Sequence, residues 1–212
     1  MPYDAILFDL DGTLIDTERV AMTTGRDAFA EFGHVEVDAL LHRLVGVDQP
    51  SASGIILSAL PDLDLAALTA NWQARFDAAL RVDIPLKPHA AQVVKTLAQR
   101  HDLALVTSSG RMAAMDKLDR TGLLPAFRLV ITRDDVRRPK PDPEPYLRAA
   151  EQLSATPARC LVFEDSDTGA RAAHEAGMVV VQVPDTHAPS GRYAHHIAPD
   201  LLAGLALAGL IL

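Results

Sequence analysis

Five short apolar runs that alternate with helix-like stretches constrain this chain more than any other feature. They are Ala5–Phe8, Leu103–Val106, Leu129–Ile131, Leu161–Phe163 and Val179–Val183. Each is nearly continuously apolar, the pattern of a parallel strand covered on both faces. Helical periodicity appears at about His89–Arg100, Arg111–Thr121, Pro143–Leu153 and Thr168–Ala176. This alternation predicts an α/β fold, a doubly wound parallel sheet of Rossmann-like type.

The interval after the first run breaks the rhythm. Between about Asp16 and Asp83 no run reads as a strand, and amphipathic helical stretches fall near Glu18–Phe32, Val37–Leu44, Ser51–Leu60 and Leu65–Leu80. A strand-to-strand crossover needs roughly a dozen residues, far fewer than this block holds. The expected organisation is therefore a Rossmann-like core of residues 1–15 and 85–212 with an inserted α-helical domain over 16–84. The insert carries five arginines, no lysine and eleven acidic residues. Most of the chain's net charge of −8 thus lies in it.

That acidic balance argues against a nucleic-acid or membrane-surface partner, which would want a basic stripe. The longest apolar stretch, Leu201–Leu212, is shorter than the ~20 residues of a membrane span, and it reads as a helix and tail packed on the core. The N-terminus lacks the charged and apolar regions of a secretory signal. One cysteine, Cys160, lies in an apolar run and reads as a small buried hydrophobe. A cytoplasmic location fits this cysteine usage, with a monomer or weak homodimer as the expected state.

In a doubly wound sheet, ligands bind beyond the carboxyl ends of the strands. The first strand ends in Asp9-Leu10-Asp11-Gly12-Thr13, two carboxylates with a glycine that permits a sharp turn. The second ends in Thr107-Ser108-Ser109-Gly110 before a helix, where hydroxyls and free amides form an anion site. After the third come prolines on alternate positions (Pro139, Pro141, Pro143, Pro145), which stiffen the segment and fix where Lys140 points. The fourth ends in Glu164-Asp165-Ser166. Clustered carboxylates repel and normally need a cation. Together the ends read as a magnesium site with a phosphate cradle. The pair His195-His196 reads as a surface loop.

These segments resemble the haloacid dehalogenase-like hydrolases, in the branch with a helical cap that includes β-phosphoglucomutase and phosphoglycolate phosphatase. The residues that carry the resemblance are Phe8 through Thr17, Lys140-Pro141-Asp142-Pro143, and Val162 through Ser166 continuing to Gly169 and Ala176-Gly177-Met178. The resemblance implies a Mg²⁺-dependent phosphatase acting on a small phosphorylated metabolite, a sugar phosphate or phosphoglycolate. It implies that Asp9 is the nucleophile and Asp11 the general acid and base. Thr107 and Lys140 would hold the phosphoryl group. Mg²⁺ would lie on Asp9, the Asp11 carbonyl, Asp165 and Glu164, the last directly or through water. Gly12, Thr13, Ser108 and Ser109 in the core, with Gly46 and Gln49 in the insert, are the expected substrate-binding positions. A phosphomutase and a non-catalytic ligand-binding fold-mate are the alternatives. The mutase is disfavoured because Ala21 and Gln49 stand where β-phosphoglucomutase has a histidine and an arginine; Arg43 is a possible substitute. The acidic insert reads as a solvated face, or else as selecting one phosphate with a neutral or cationic remainder.

Overall fold

A computed structural model describes residues 3–44, 47, 49–185 and 188–210. Six strands form one parallel sheet: β1 (Ala5–Phe8), β2 (Asp102–Val106), β3 (Leu129–Ile131), β4 (Cys160–Glu164), β5 (Val179–Gln182) and β6 (His196–Ile197). Their order across the sheet is β3-β2-β1-β4-β5-β6. The chain steps outward from β1 to one edge and then returns to cross to the other. The expected doubly wound α/β fold is what forms.

Continuous apolarity has its cause in this layering. All four residues of β1 are fully buried. On one face, Ala5, Leu7, Ala104 and Val162 pack with Tyr146, Ala149 and Ala150 of α7 (Glu144–Leu153) and with Ala172 and Ala173 of α8 (Asp167–Glu175). On the other, Phe8 stacks on Phe163 with ring centroids 5.1 Å apart. There Gly204 of α9 (Leu201–Leu207) lets that helix approach Val181 and Phe163 closely. Each large side chain removed from water in this way contributes about 1.5–3 kcal/mol. The core is completed by α5 (Ala90–Leu97) and α6 (Arg111–Arg120). Cys160 is buried and free, and burial pushes its thiol up to about 11. Among the described residues, no helix is long and apolar enough to cross a membrane.

One expectation is corrected in part: His195 is exposed in a bend, whereas His196 belongs to a strand. The His195 backbone N–H donates to the Val180 carbonyl (2.9 Å), and the His195 ring Nδ1 accepts from the Val180 N–H (3.1 Å). His196 then opens β6. Together they close backbone groups that β5 would leave unpaired at the sheet edge.

The chain divides into two compact units, Met1–Asp16 with Pro85–Leu212, and Thr17–Ile84. The second contains α1 (Thr17–Glu31), α2 (Asp38–Leu44), α3 (Gln49–Ala59) and α4 (Leu65–Val82). It has its own apolar centre of Met22, Phe29, Leu41, Ile56 and Leu68, with Trp72 against it. The Trp72 ring meets Phe29 edge-on at 5.9 Å, and its indole N–H donates to the Ala21 carbonyl at 3.0 Å. Asp64 caps α4 by accepting from the Ala67 N–H.

Because this centre is small, losing one methyl-rich side chain is costly locally. Leu68→Ala should destabilise the helical unit by about 2–5 kcal/mol. Hydrogen exchange should show protection lost in α1 and α4 and retained in the sheet strands. Equal loss in both would contradict an independent core.

Candidate active site

Parallel register brings three strand ends level. Phe8 of β1 lies opposite Leu105 of β2 and Phe163 of β4. The residues that follow, Asp9, then Val106 and Thr107, and Glu164 with Asp165, therefore emerge together at the carboxyl end of the sheet. Of these, Asp9, Thr107, Glu164 and Asp165 line a cleft of about 290 Å³ with Asp11, Ser108, Ser109, Lys140, Ser166, Thr168 and Gly169.

The turn after β1 is closed by backbone hydrogen bonds from the Leu14 and Ile15 N–H groups to the Leu10 carbonyl, each 2.9 Å. Gly12 has φ +88, and a Cβ there would collide with the Asp165 carboxylate. Only glycine meets both conditions. Thr13 is buried, and its hydroxyl has no hydrogen-bond partner among the described residues. The Thr107 hydroxyl is buried and accepts from the Ser109 N–H at 3.0 Å.

Lys140 is the centre of the charge arrangement. Its ammonium donates to Asp9 Oδ1 (2.8 Å), to Glu164 Oε1 (2.5 Å) and to the Val106 carbonyl (2.8 Å). Those three bonds use all three of its protons. The Tyr146 hydroxyl also donates to Glu164 Oε1 at 2.6 Å, and its ring lies 5.0 Å from the ammonium. Tyr146 is carried in the first turn of α7, where the proline-stiffened segment runs into the helix. Glu164 is only 1% exposed. It leaves Oε2 near the Ser166 hydroxyl, which in turn caps α8 by accepting from the Gly169 N–H.

Asp9, Glu164 and Asp165 each offer a carboxylate oxygen, all within 4.8 Å of one another. Like charges at ~4 Å repel by about 4 kcal/mol even at an effective dielectric of 20. Burial, against the nearby Lys140 and with Glu164 beside it, pushes the Asp9 carboxyl up to about 7. Burial, then Asp9 and Glu164, pushes Asp165 up to about 9. Burial works against the charge on Lys140, but the Asp9 and Glu164 carboxylates outweigh it and raise its pKa. One lysine therefore stands against three acids and is bonded to two of them. This crowded, all-oxygen set suits a hard divalent cation, which would supply the missing positive charge.

Asp11 stands outside that set. Its Oδ2 accepts from the Ser109 hydroxyl and its Oδ1 from the Lys117 ammonium, both at 2.6 Å. Of the expected site residues, Asp9, Asp11, Thr107, Ser108, Ser109, Lys140, Glu164 and Asp165 thus share the cleft. Gly12 and Thr13 form the adjoining turn. Gln49 opens α3 in the helical unit, and Gly46 lies outside the described residues. Sequence reasoning did not single out Tyr146 or Lys117. Tyr146 lies six residues past Lys140 on the same stiff segment. Lys117 has only its helical spacing next to the buried Ala114 and Leu118 to mark it.

The family follows from comparison with known proteins. A sequence model described as haloacid dehalogenase-like hydrolase matches residues 6–183. The chain belongs to that family. A phosphorylated carbohydrates phosphatase of Thermotoga maritima is 32% identical over 179 residues, 82% of each chain. A fructose-1-phosphate phosphatase of Escherichia coli is 31% identical over 182 residues, 85% of this chain and 96% of that one. A crystal structure of a family hydrolase from Deinococcus radiodurans, with bound phosphate and sodium, aligns with a TM-score of 0.84 at 28% identity. It covers 99% of this chain and 98% of that one.

With Asp9 raised to about 7 and Asp165 to about 9, protons partly occupy the acid cluster at neutral pH. A divalent cation needs both carboxylates ionised. Its binding at pH 7 should therefore release protons, and the release should fall away as pH rises past about 9. Calorimetry in two buffers of different ionisation enthalpy measures this. A binding heat independent of buffer at pH 7 would contradict the crowded-carboxylate account.

Proposed function

We propose that the protein is a Mg²⁺-dependent phosphatase that hydrolyses small phosphorylated metabolites, sugar phosphates foremost, through an aspartyl-phosphate on Asp9. As an enzyme the chain is a phosphoric monoester hydrolase of its family. The finer reading rests above all on one observation: Asp9 and Asp11, two residues apart, are held by separate cations, Lys140 and Lys117. One carboxylate is thereby equipped as nucleophile and the other is held on partners of its own for proton transfer. The sugar-phosphate preference is supported by the phosphatase names of the Thermotoga maritima and Escherichia coli relatives.

Phosphoryl transfer asks for in-line positioning and charge neutralisation more than for covalent chemistry. Lys140 grips Asp9 Oδ1, which fixes the carboxylate's rotation and leaves its other oxygen to attack phosphorus. Thr107 and the Ser108 region supply hydroxyls and amides at the start of α6, where an anion is favoured. Asp11 gives its proton to the departing oxygen. It then takes one from the water that attacks the Asp9 acyl-phosphate, so each carboxylate ends as it began. Mg²⁺, held by Asp9, Asp165, the Asp11 carbonyl and Glu164, would neutralise the non-bridging phosphoryl oxygens. Glu164 already accepts from Lys140 and Tyr146, which favours its acting through water. The helical unit is the cap in this reading.

The test is phosphate release from a panel of monophosphorylated metabolites with Mg²⁺. Asp9→Asn and chelation with EDTA should each abolish release, and Lys140→Ala should lower turnover by about 10²–10³-fold. Turnover surviving Asp9→Asn would overturn the mechanism. Isomerised sugar phosphate without release would identify a mutase.

A further inference from the structure

Lys117 is a half-buried charged group that the mechanism above leaves without a task beyond holding Asp11. It lies two turns into α6, and only 13% of its side chain is exposed. It does not line the cleft, so it acts through its partner. Its ammonium and the Ser109 hydroxyl occupy the two oxygens of one carboxylate, Lys117 on Oδ1 and Ser109 on Oδ2. Both belong to the continuous β2–loop–α6 stretch, which is anchored by the fully buried Ala114 and Leu118. Asp11 is thus gripped by two side chains of one continuous stretch.

The two grips differ chemically. An ammonium only donates, so it is held best by the carboxylate oxygen that bears no proton. A hydroxyl both donates and accepts, so Ser109 can reverse its bond when the neighbouring oxygen is protonated. We propose that Lys117 is a positioning residue that holds Oδ1 of Asp11 and so fixes the carboxylate's rotation, presenting Oδ2, the oxygen beside the cleft-lining Ser109, for the proton exchange. This inference rests on the phosphatase reading and deepens it.

The proton balance follows. In the first step the Asp9–phosphorus bond forms, the ester P–O bond breaks, and the proton on Asp11 Oδ2 passes to the leaving oxygen. In the second, water attacks phosphorus, the Asp9–phosphorus bond breaks, and a water proton returns to Oδ2. Lys117 keeps its own protons throughout. Without it, Asp11 can rotate and present either oxygen, and it is free to turn toward the cation site at Asp9, Glu164 and Asp165. Misorientation of an acid–base group costs on the order of 10–100-fold.

Rapid-quench measurement of phosphoenzyme formation and decay, on the full chain with Mg²⁺, tests this. The probes are glucose 6-phosphate, whose alkoxide leaving group needs a proton, and p-nitrophenyl phosphate, whose leaving group does not. Lys117→Met should slow formation from glucose 6-phosphate about 10–100-fold and from p-nitrophenyl phosphate less than about 3-fold. Decay of the common phosphoenzyme should slow equally for both, KM should barely change, and Lys117→Arg should recover most of the rate. In an Asp11→Asn background, Lys117→Met should cost nothing further, since it acts only through that carboxylate. Equal slowing of formation for both leaving groups, further loss in the Asp11→Asn background, or normal kinetics in Lys117→Met would overturn the proposal while the phosphatase reading stands. A wild-type protein that forms no phosphoenzyme, or an Asp11→Asn variant with full activity, would overturn both.

Discussion

The three hydrogen bonds from Lys140 are what the rest of the site depends on. Glu164 and Asp9 are adjacent in space because β1 and β4 pair in parallel, and both carboxylates are nearly withdrawn from water. Left uncompensated, a buried charge of that kind costs about 3–5 kcal/mol. Lys140 answers both with one ammonium and spends its third proton on the Val106 carbonyl of β2. It therefore also ties together the ends of three strands. Tyr146 adds a neutral donor to Glu164 without adding charge, which keeps the cluster short of positive charge and receptive to a cation.

A second division follows from the first. Asp11 follows Asp9 by two residues, yet the turn at Gly12 and the grip of Ser109 and Lys117 give it a separate set of partners. Two acids on one short segment thus acquire different electrostatic surroundings from different elements, Asp9 from β4 and the segment before α7, Asp11 from β2 and α6. Separating paired titratable groups in this way is the general means by which one site holds a nucleophile and a proton carrier together. The cost appears as buried like charge, the kind of local conflict that structures tolerate at functional sites.

Much of this was legible in the sequence. Val, Leu and Phe without alternation announced strands buried on both faces, because α7 and α8 cover one side and α9 the other. The carboxylates at the ends of β1 and β4 were legible for the same reason: a charged residue ending an apolar strand has nowhere to go but the sheet's edge. The strand at His196–Ile197 was not legible, since two residues carry no periodicity and its pairing is set by the unmet backbone groups of β5. Lys117 was hidden because a lysine on a helix usually faces water. Only the packing of Ala114 and Leu118 turns α6 so that its ammonium reaches Asp11, 106 residues away in sequence. Local patterns record burial well. They do not record which distant side chain will meet a charge.

The central claim is that Asp9 carries the phosphoryl group during turnover. An acyl-phosphate on aspartate is reduced by borohydride to homoserine, whereas a free carboxylate is not. Quenching the protein during turnover of a sugar phosphate, reducing it, and sequencing the N-terminal peptide by mass spectrometry tests the claim directly. Conversion of Asp9 alone, absent without substrate, is the predicted result. Conversion at Asp11 or elsewhere, or steady turnover with Asp9 unmodified at every time of quench, would contradict it.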